Sequence, residues 1–139
     1  GHYGYAAWKM DIPAMILERG YSCVLRKEWY EGHMDSIRLL MNHFNMYELE
    51  KEIPCEPQIN FKKSAYLTVD RKGIWWPAVV PEQDVKKGEL LGEIKDYFGN
   101  VITSYYAEGD GRIIYLISGM VVHDGDEAVA YGLYEDCVR

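Results

Sequence analysis

The residues in this chain best suited to chemistry are a carboxylate at the end of an apolar run and four histidines scattered away from it. In Pro13-Ala14-Met15-Ile16-Leu17-Glu18-Arg19-Gly20 a strand-like run ends in Glu18, and a charged residue and a glycine then turn the chain. Burying a carboxylate beside such a run costs on the order of several kcal/mol unless a proton, cation or metal compensates it. That cost is tolerated where an acid or base is needed, which makes Glu18 a candidate catalytic group. The plainer alternative is a strand-end carboxylate paired with Arg19, Arg26 or a helix N-terminus. Arg19 is a candidate to orient Glu18 or a substrate carboxylate. Adjacent strand residues point to opposite faces, so a surface arginine is its alternative. His33 and His43 lie ten positions apart on one predicted helix. Their directions there differ by about 80° and they are ~15 Å apart along the axis, which is no metal site. His123 with Asp124 and Asp126 makes a weak metal motif that an internal repeat explains better.

Positioning Glu18 falls to the elements around it. Tyr3 to Met10 reads as a short helix, and Pro13 marks the break before a strand over 14–18. Apolar residues then recur at helical spacing: Trp29 or Tyr30, Met34, Ile37, Met41 and Phe44. Glu31, Asp35, Arg38 and Asn42 lie largely off that face. Gly32 weakens this helix without excluding it. One short strand between two helices cannot bury both of its own faces. Residues 1–49 are therefore expected to be the last piece of an α/β sheet whose other strands are missing. The apolar surface left over should drive oligomerisation or swapping into a homo-oligomer.

Residues 50–58 are charged, carry Pro54 and Pro57, and serve as a linker whose acidic patch (Glu48, Glu50, Glu52, Glu56) is solvated. From Ile59 the pattern changes to short β segments bounded by Gly, Pro, Asp and Asn, expected to form an all-β domain over 59–135. Here the chain repeats itself. Lys72-Gly73-Ile74-Trp75-Trp76 leads to Val85-Lys86-Lys87-Gly88-Glu89, and Asp110-Gly111-Arg112-Ile113-Ile114 leads to Val122-His123-Asp124-Gly125-Asp126. Each unit is a Gly-started strand, a loop, then Val-x-x-Gly-Asp/Glu and another strand. Glycine suits the turn because it adopts positive φ cheaply. Trp75-Trp76 and Tyr105-Tyr106 should each place one ring in the sandwich and one outside, at a seam with another domain or as a carbohydrate or peptide platform.

Two related β units of this form resemble the barrel-sandwich hybrid of biotinyl and lipoyl carrier domains, which present a modifiable lysine at the hairpin tip between the repeats. The corresponding tip here is Phe98-Gly99-Asn100, so Asn100 takes the lysine's place, and Lys95 falls on the strand side of the turn. An amide is not acylated as an amine is, so neither lipoate nor biotin is expected.

The order of the motifs carries a more specific resemblance. Pro13-Ala14-x-x-x-Glu18-x-Gly20, then a helix, then Val85-Lys86-Lys87-Gly88-Glu89-Leu90-Leu91-Gly92-Glu93-Ile94-x-Asp96-x-Phe98-Gly99, resembles the C-terminal part of the succinylglutamate desuccinylase/aspartoacylase family. The catalytic domain of that family is similar to the zinc carboxypeptidases, and the likeness runs from about Tyr3 to Tyr131. It implies zinc-dependent hydrolysis of an amide joining a small acyl group to an amine, with a small N-acyl amino-acid-like substrate. In the family a His-x-x-Glu pair and a later His hold the zinc, and a separate Glu at a strand end is the general base. Glu18 matches that Glu. None of His2, His33, His43 or His123 is followed three residues later by Glu. The family's ligands lie N-terminal of the Glu18 motif, so the resemblance implies a chain that alone neither holds zinc nor hydrolyses anything. Arg19, Phe98 and Gly99 are the substrate-binding candidates. The last two rest on the idea that the hairpin tip lies near the active-site mouth; their alternative is turn geometry alone.

The expected fold is thus α+β: a helix–strand–helix remnant of an α/β zinc-hydrolase domain followed by an all-β barrel-sandwich hybrid. A net charge of -7 without a Lys/Arg cluster argues against nucleic acid and against an anionic membrane surface. No apolar run approaches the ~20 residues that span a bilayer. Cys23, Cys55 and Cys137 are odd in number and widely spaced, as expected of reduced thiols in the cytoplasm. The chain opens on Gly1-His2-Tyr3-Gly4, without a Met or a signal-peptide layout, and is expected to begin inside something longer. The competing function is a stand-alone, non-catalytic β module that binds a partner through its outer aromatics.

Overall fold

The computed structural model describes residues 3–22, 24–54, 58–134 and 137–138 of the chain. Cys23, Cys55, Glu56, Pro57, His2 and the Cys137 side chain lie outside the described residues, and with them the expectations placed on the thiols and on part of the linker. The chain divides into two compact units, Gly1–Cys55 and Glu56–Arg139.

In the first unit, α1 (Tyr3–Lys9) and α2 (Lys27–His43) are the helices expected from the sequence. Both stop in the same way. After α1 the N–H of Ile12 reaches the carbonyl of Ala7 (2.8 Å) and that of Asp11 the carbonyl of Trp8 (3.2 Å). After α2, Met46 bonds Met41 (2.8 Å) and Asn45 bonds Asn42 (2.9 Å). Asp11 (φ 55°) and Asn45 (φ 56°) take the left-handed position that such a termination requires, and their short polar side chains tolerate it. No residue of α2 is buried.

The strand expected over 14–18 is not formed. Those residues have no strand partner, and all ten strands of the described structure belong to the second unit. A strand's backbone bonds are made to a neighbour, so an apolar run of suitable composition stays irregular where none is available.

The second unit holds two four-stranded antiparallel sheets and a small two-stranded one. Its strands are β1 (Asn60–Phe61), β2 (Ser64–Thr68), β3 (Gly73–Pro77), β4 (Asp84–Val85), β5 (Leu90–Lys95), β6 (Val101–Tyr106), β7 (Gly111–Leu116), β8 (Val121–Val122), β9 (Glu127–Leu133) and β10 (Cys137–Val138). One sheet runs β2-β9-β7-β4 and the other β6-β5-β3-β8, while β1 pairs β10. Replacing β2, β3, β4 and β5 by β6, β7, β8 and β9 converts one order into the other. The two sequence repeats are therefore related by a pseudo-twofold, and each lends a short strand to the other's sheet: β8 pairs β3, and β4 pairs β7.

The repeated Val-x-x-Gly-Asp/Glu has a physical reason in each half. The Glu89 carboxylate accepts the Lys86 backbone N–H (2.9 Å), and the Asp126 carboxylate accepts that of His123 (2.8 Å). Gly88 (φ +83°) and Gly125 (φ +92°) make the turn between them. Val85 and Val122, which open the motif, are both buried. Between the sheets lies a core of Val69, Trp75, Leu91, Ile94, Ile113, Val122, Val129 and Tyr131 with smaller neighbours. β2 alternates exposed and half-buried residues, as one face of a sheet on a core requires, whereas the central strand β9 is buried nearly throughout.

Candidate functional site

Glu18 is exposed, and so are its apolar neighbours Met15 (67%), Ile16 (71%) and Leu17 (39%). The expectation of a carboxylate sunk beside an apolar strand is corrected on both counts, since the run neither pairs nor packs in this chain. No ion pair to Glu18 occurs among the described residues, and the two arginines named as its alternatives are placed elsewhere. The guanidinium of Arg26 lies 5.0 Å from the centre of the Trp29 ring and 3.8 Å from the Glu28 carboxylate. That of Arg19 lies against Gly32 of α2, in the space a Cβ would occupy.

Gly20 follows with φ +89° and seats on the Trp29 ring, where an added Cβ would stand 2.6 Å from Cε3. The Tyr21 ring packs against the same ring, tilted by 50° at 5.7 Å between centroids. The Glu18–Gly20 turn is thus fastened to the first turns of α2. Sequence reasoning did not find Trp29 and Gly32 in this role. The available signal was Gly32 itself, a helix-weakening residue in the middle of an otherwise regular amphipathic pattern.

The histidines do not converge. No group of three or more His, Cys, Asp or Glu able to hold a metal ion occurs among the described residues. His33 is half-buried, and its Nδ1 is enclosed without a hydrogen-bond partner among the described residues. His43 is exposed and sits edge-on to Phe44 at 5.1 Å. His123 is exposed in its turn, where Asp126 serves the backbone, as the repeat implied.

In the second unit, Phe98 and Gly99 sit at the tip of the β5–β6 hairpin. The Asp96 carboxylate organises the tip by accepting the N–H of Phe98 (2.8 Å), the N–H of Asn100 (2.9 Å) and the Asn100 side-chain amide (2.8 Å). The Asn100 amide and backbone N–H, followed by the other tip donors, hold the Asp96 carboxyl below the usual carboxylate range. Gly99 (φ +86°) takes the left-handed place of a three-residue loop. Tyr97 (88%) and Phe98 (91%) project into solvent. Asn100 thus has a structural task at the hairpin tip. Lys95 is committed as well: its ammonium lies 4.9 Å from the centre of the Trp76 ring and 3.2 Å from the Glu93 carboxylate.

The paired aromatics divide as their alternation predicts. Trp75 is buried and Trp76 is exposed. Tyr105 packs 6.1 Å from Trp75 and donates its hydroxyl to Asp70 (2.7 Å), while Tyr106 faces solvent. Two shallow hollows lie in the first unit. One, of about 340 Å³, is lined by Gly4, Trp8, Asp11, Ile12, Pro13 and Ala14. The other, of about 300 Å³, is lined by residues between Asp35 and Ile53. Neither includes Glu18 or a histidine. No described helix is long and apolar enough to cross a membrane.

Comparison with known proteins places this geometry in a fold. No family model matches the sequence, and no curated protein matches it. Solved structures do. A succinylglutamate desuccinylase from Silicibacter sp. TM1040 superposes with a TM-score of 0.81 at 19% identity, over 96% of this chain and 41% of that one. The product-bound ectoine utilization protein EutE (DoeB) from Ruegeria pomeroyi gives 0.86 at 17% identity, over 96% and 42%. A succinylglutamate desuccinylase/aspartoacylase from Rhodobacter sphaeroides gives 0.65 at 20% identity, over 80% and 37%. The chain spans about two fifths of the length of these structures. Along nearly its whole length it shares the fold of succinylglutamate desuccinylase/aspartoacylase proteins.

Proposed function

We propose that this chain is the C-terminal portion of a deacylase that hydrolyses a small N-acyl amino-acid-like substrate, and that Glu18 is its general base. The single observation that carries the reading is the shared fold over 96% of the chain with succinylglutamate desuccinylase and EutE structures. The motif Pro13-Ala14-x-x-x-Glu18-x-Gly20 ahead of the β unit supports it. In this proposal residues 1–49 complete an α/β catalytic domain, 50–58 link it to the β unit of 59–135, and that unit has the barrel-sandwich hybrid topology. The enzyme works in the cytoplasm, and its apolar first unit is covered in a homo-oligomer or against the rest of the protein.

Glu18, with no ion pair among the described residues, is suited to accept a proton from an attacking water and return it to the leaving nitrogen. Zinc, held by ligands outside this chain, would polarise the amide carbonyl; the chain alone binds no catalytic zinc and is inactive. Phe98 and Gly99 are carried as substrate-side residues in this reading; Arg19, whose guanidinium lies over Gly32, is not.

The test is to supply the upstream sequence and assay amide hydrolysis with zinc. Glu18→Gln should then lower turnover by roughly 10²–10⁴-fold with zinc retained. Near-normal turnover would remove Glu18 from the mechanism. A longer protein with neither zinc nor activity would leave the β unit as a binding module that uses its outer aromatics, Trp76 and Tyr106.

A further inference from the structure

We infer that Arg19 is a positioning residue, which holds Glu18 in place through a slot in helix α2 at Gly32, and that it does not contact substrate. The inference rests on the proposed role of Glu18. Its geometry is independent of that role. A glycine three residues after Trp29 shares its helix face, and the chain seats two consecutive residues on these two positions. Arg19 lays its guanidinium where the Gly32 side chain would be, with Cζ 2.8 Å from the virtual Cβ, and Gly20 rests on the Trp29 ring.

Two consequences follow for the neighbouring carboxylate. The turn that carries Glu18 is located by contacts with a regular helix, so the carboxylate is aimed by rigid structure. A guanidinium free to reach Glu18 would stabilise its anion and weaken it as a base; seated over Gly32, that guanidinium is withdrawn. The slot also accounts for a glycine at a helix-interior position, where alanine would favour the helix.

Gly32→Ala separates this role from a purely structural one, because it strengthens the helix while evicting a side-chain tip. In the 139-residue chain, NMR should show the Gly20 α-protons shifted by the Trp29 ring current. Gly32→Ala and Arg19→Ala should each move them, and the double variant should move them no further than the larger single change. Resonances that stay in place, or that shift additively, would overturn the slot.

In the longer zinc-loaded enzyme, both variants should lower kcat, by up to roughly 100-fold, with KM unchanged, as misplacement of a reacting group does. A rise in KM for Arg19→Ala that Gly32→Ala does not share would make Arg19 a substrate ligand and overturn the inference. Normal turnover in Glu18→Gln retires the base instead, and the resonance cycle still reads the slot by itself.

Discussion

The two units of this chain use similar apolar residues to different ends. Every buried apolar side chain among the described residues lies in the β unit, while Tyr30, Ile37, Leu40 and Phe44 of the α2 region are all more than two fifths exposed. The first unit keeps its shape by local means: left-handed helix stops, and a turn seated on Trp29 and Gly32. The β unit keeps its shape by non-local pairing, each half closing over the other. Apolar patterning makes a face, and a core exists only where two faces meet. The first unit carries the carboxylate of interest and leaves its apolar side chains exposed.

The largest test of that contrast is Gly111→Ala. A Cβ there would run into the carbonyl oxygen of Gly132 on the neighbouring strand, and backbone does not yield cheaply. A loss of ~3 kcal/mol or more is expected in urea unfolding followed by the buried Trp75. A loss below 1 kcal/mol would mean the sheet is looser than its register implies.

Next is Ile94→Ala, at a fully buried position, expected to cost about 2–5 kcal/mol. The matching truncation in the other unit, Ile37→Ala, stands on a half-exposed site and should stay within about 0.5 kcal/mol. A larger effect that grows with protein concentration would show that α2 is covered by a second copy.

The smallest effect is acid sensitivity of the β unit. Arg112, and after it the Tyr134 hydroxyl, hold the Asp84 carboxyl below its usual range. Lys86 does the same for Asp110, and the Tyr105 hydroxyl for Asp70. A carboxyl depressed in the folded state contributes stability that is present above its ordinary value and lost as pH falls through the depressed range. Asp70 and Asp84 are exposed and Asp110 is half-exposed, so screening keeps the contribution modest. The urea midpoint should fall between about pH 7 and about pH 2.5, and Asp84→Asn should flatten that fall. An unchanged slope would assign the acid response to other groups.

The repeat was legible because its turn chemistry is written in residue types. Val85 and Val122 mark the core, Gly88 and Gly125 the left-handed turn, and Glu89 and Asp126 the cap. The alternation in Trp75-Trp76 also translated directly into one buried and one exposed ring. The exchange of β4 and β8 between halves was not legible. Strands of two residues have no periodicity to detect, and their partners are chosen by distant contacts.

The strand expected over 14–18 failed for the opposite reason: its composition was strong, but composition does not supply a neighbour. Around Glu18, the sequence showed the carboxylate and the glycine that follows it. Only the fold showed where Arg19 goes, because the slot is made by an absent side chain thirteen residues on, at Gly32.

The pairing of β1 with β10 has a consequence of its own. Asn60 and Val138 are register partners, so the polypeptide enters and leaves the β unit side by side, roughly 5 Å apart. A unit with that geometry can branch from a single point of a larger protein without stretching it, and a short linker can join its two ends. Cutting the hairpin between Phe98 and Gly99 would then give a circular permutant in which the order of the two repeats is reversed and every strand keeps its neighbours.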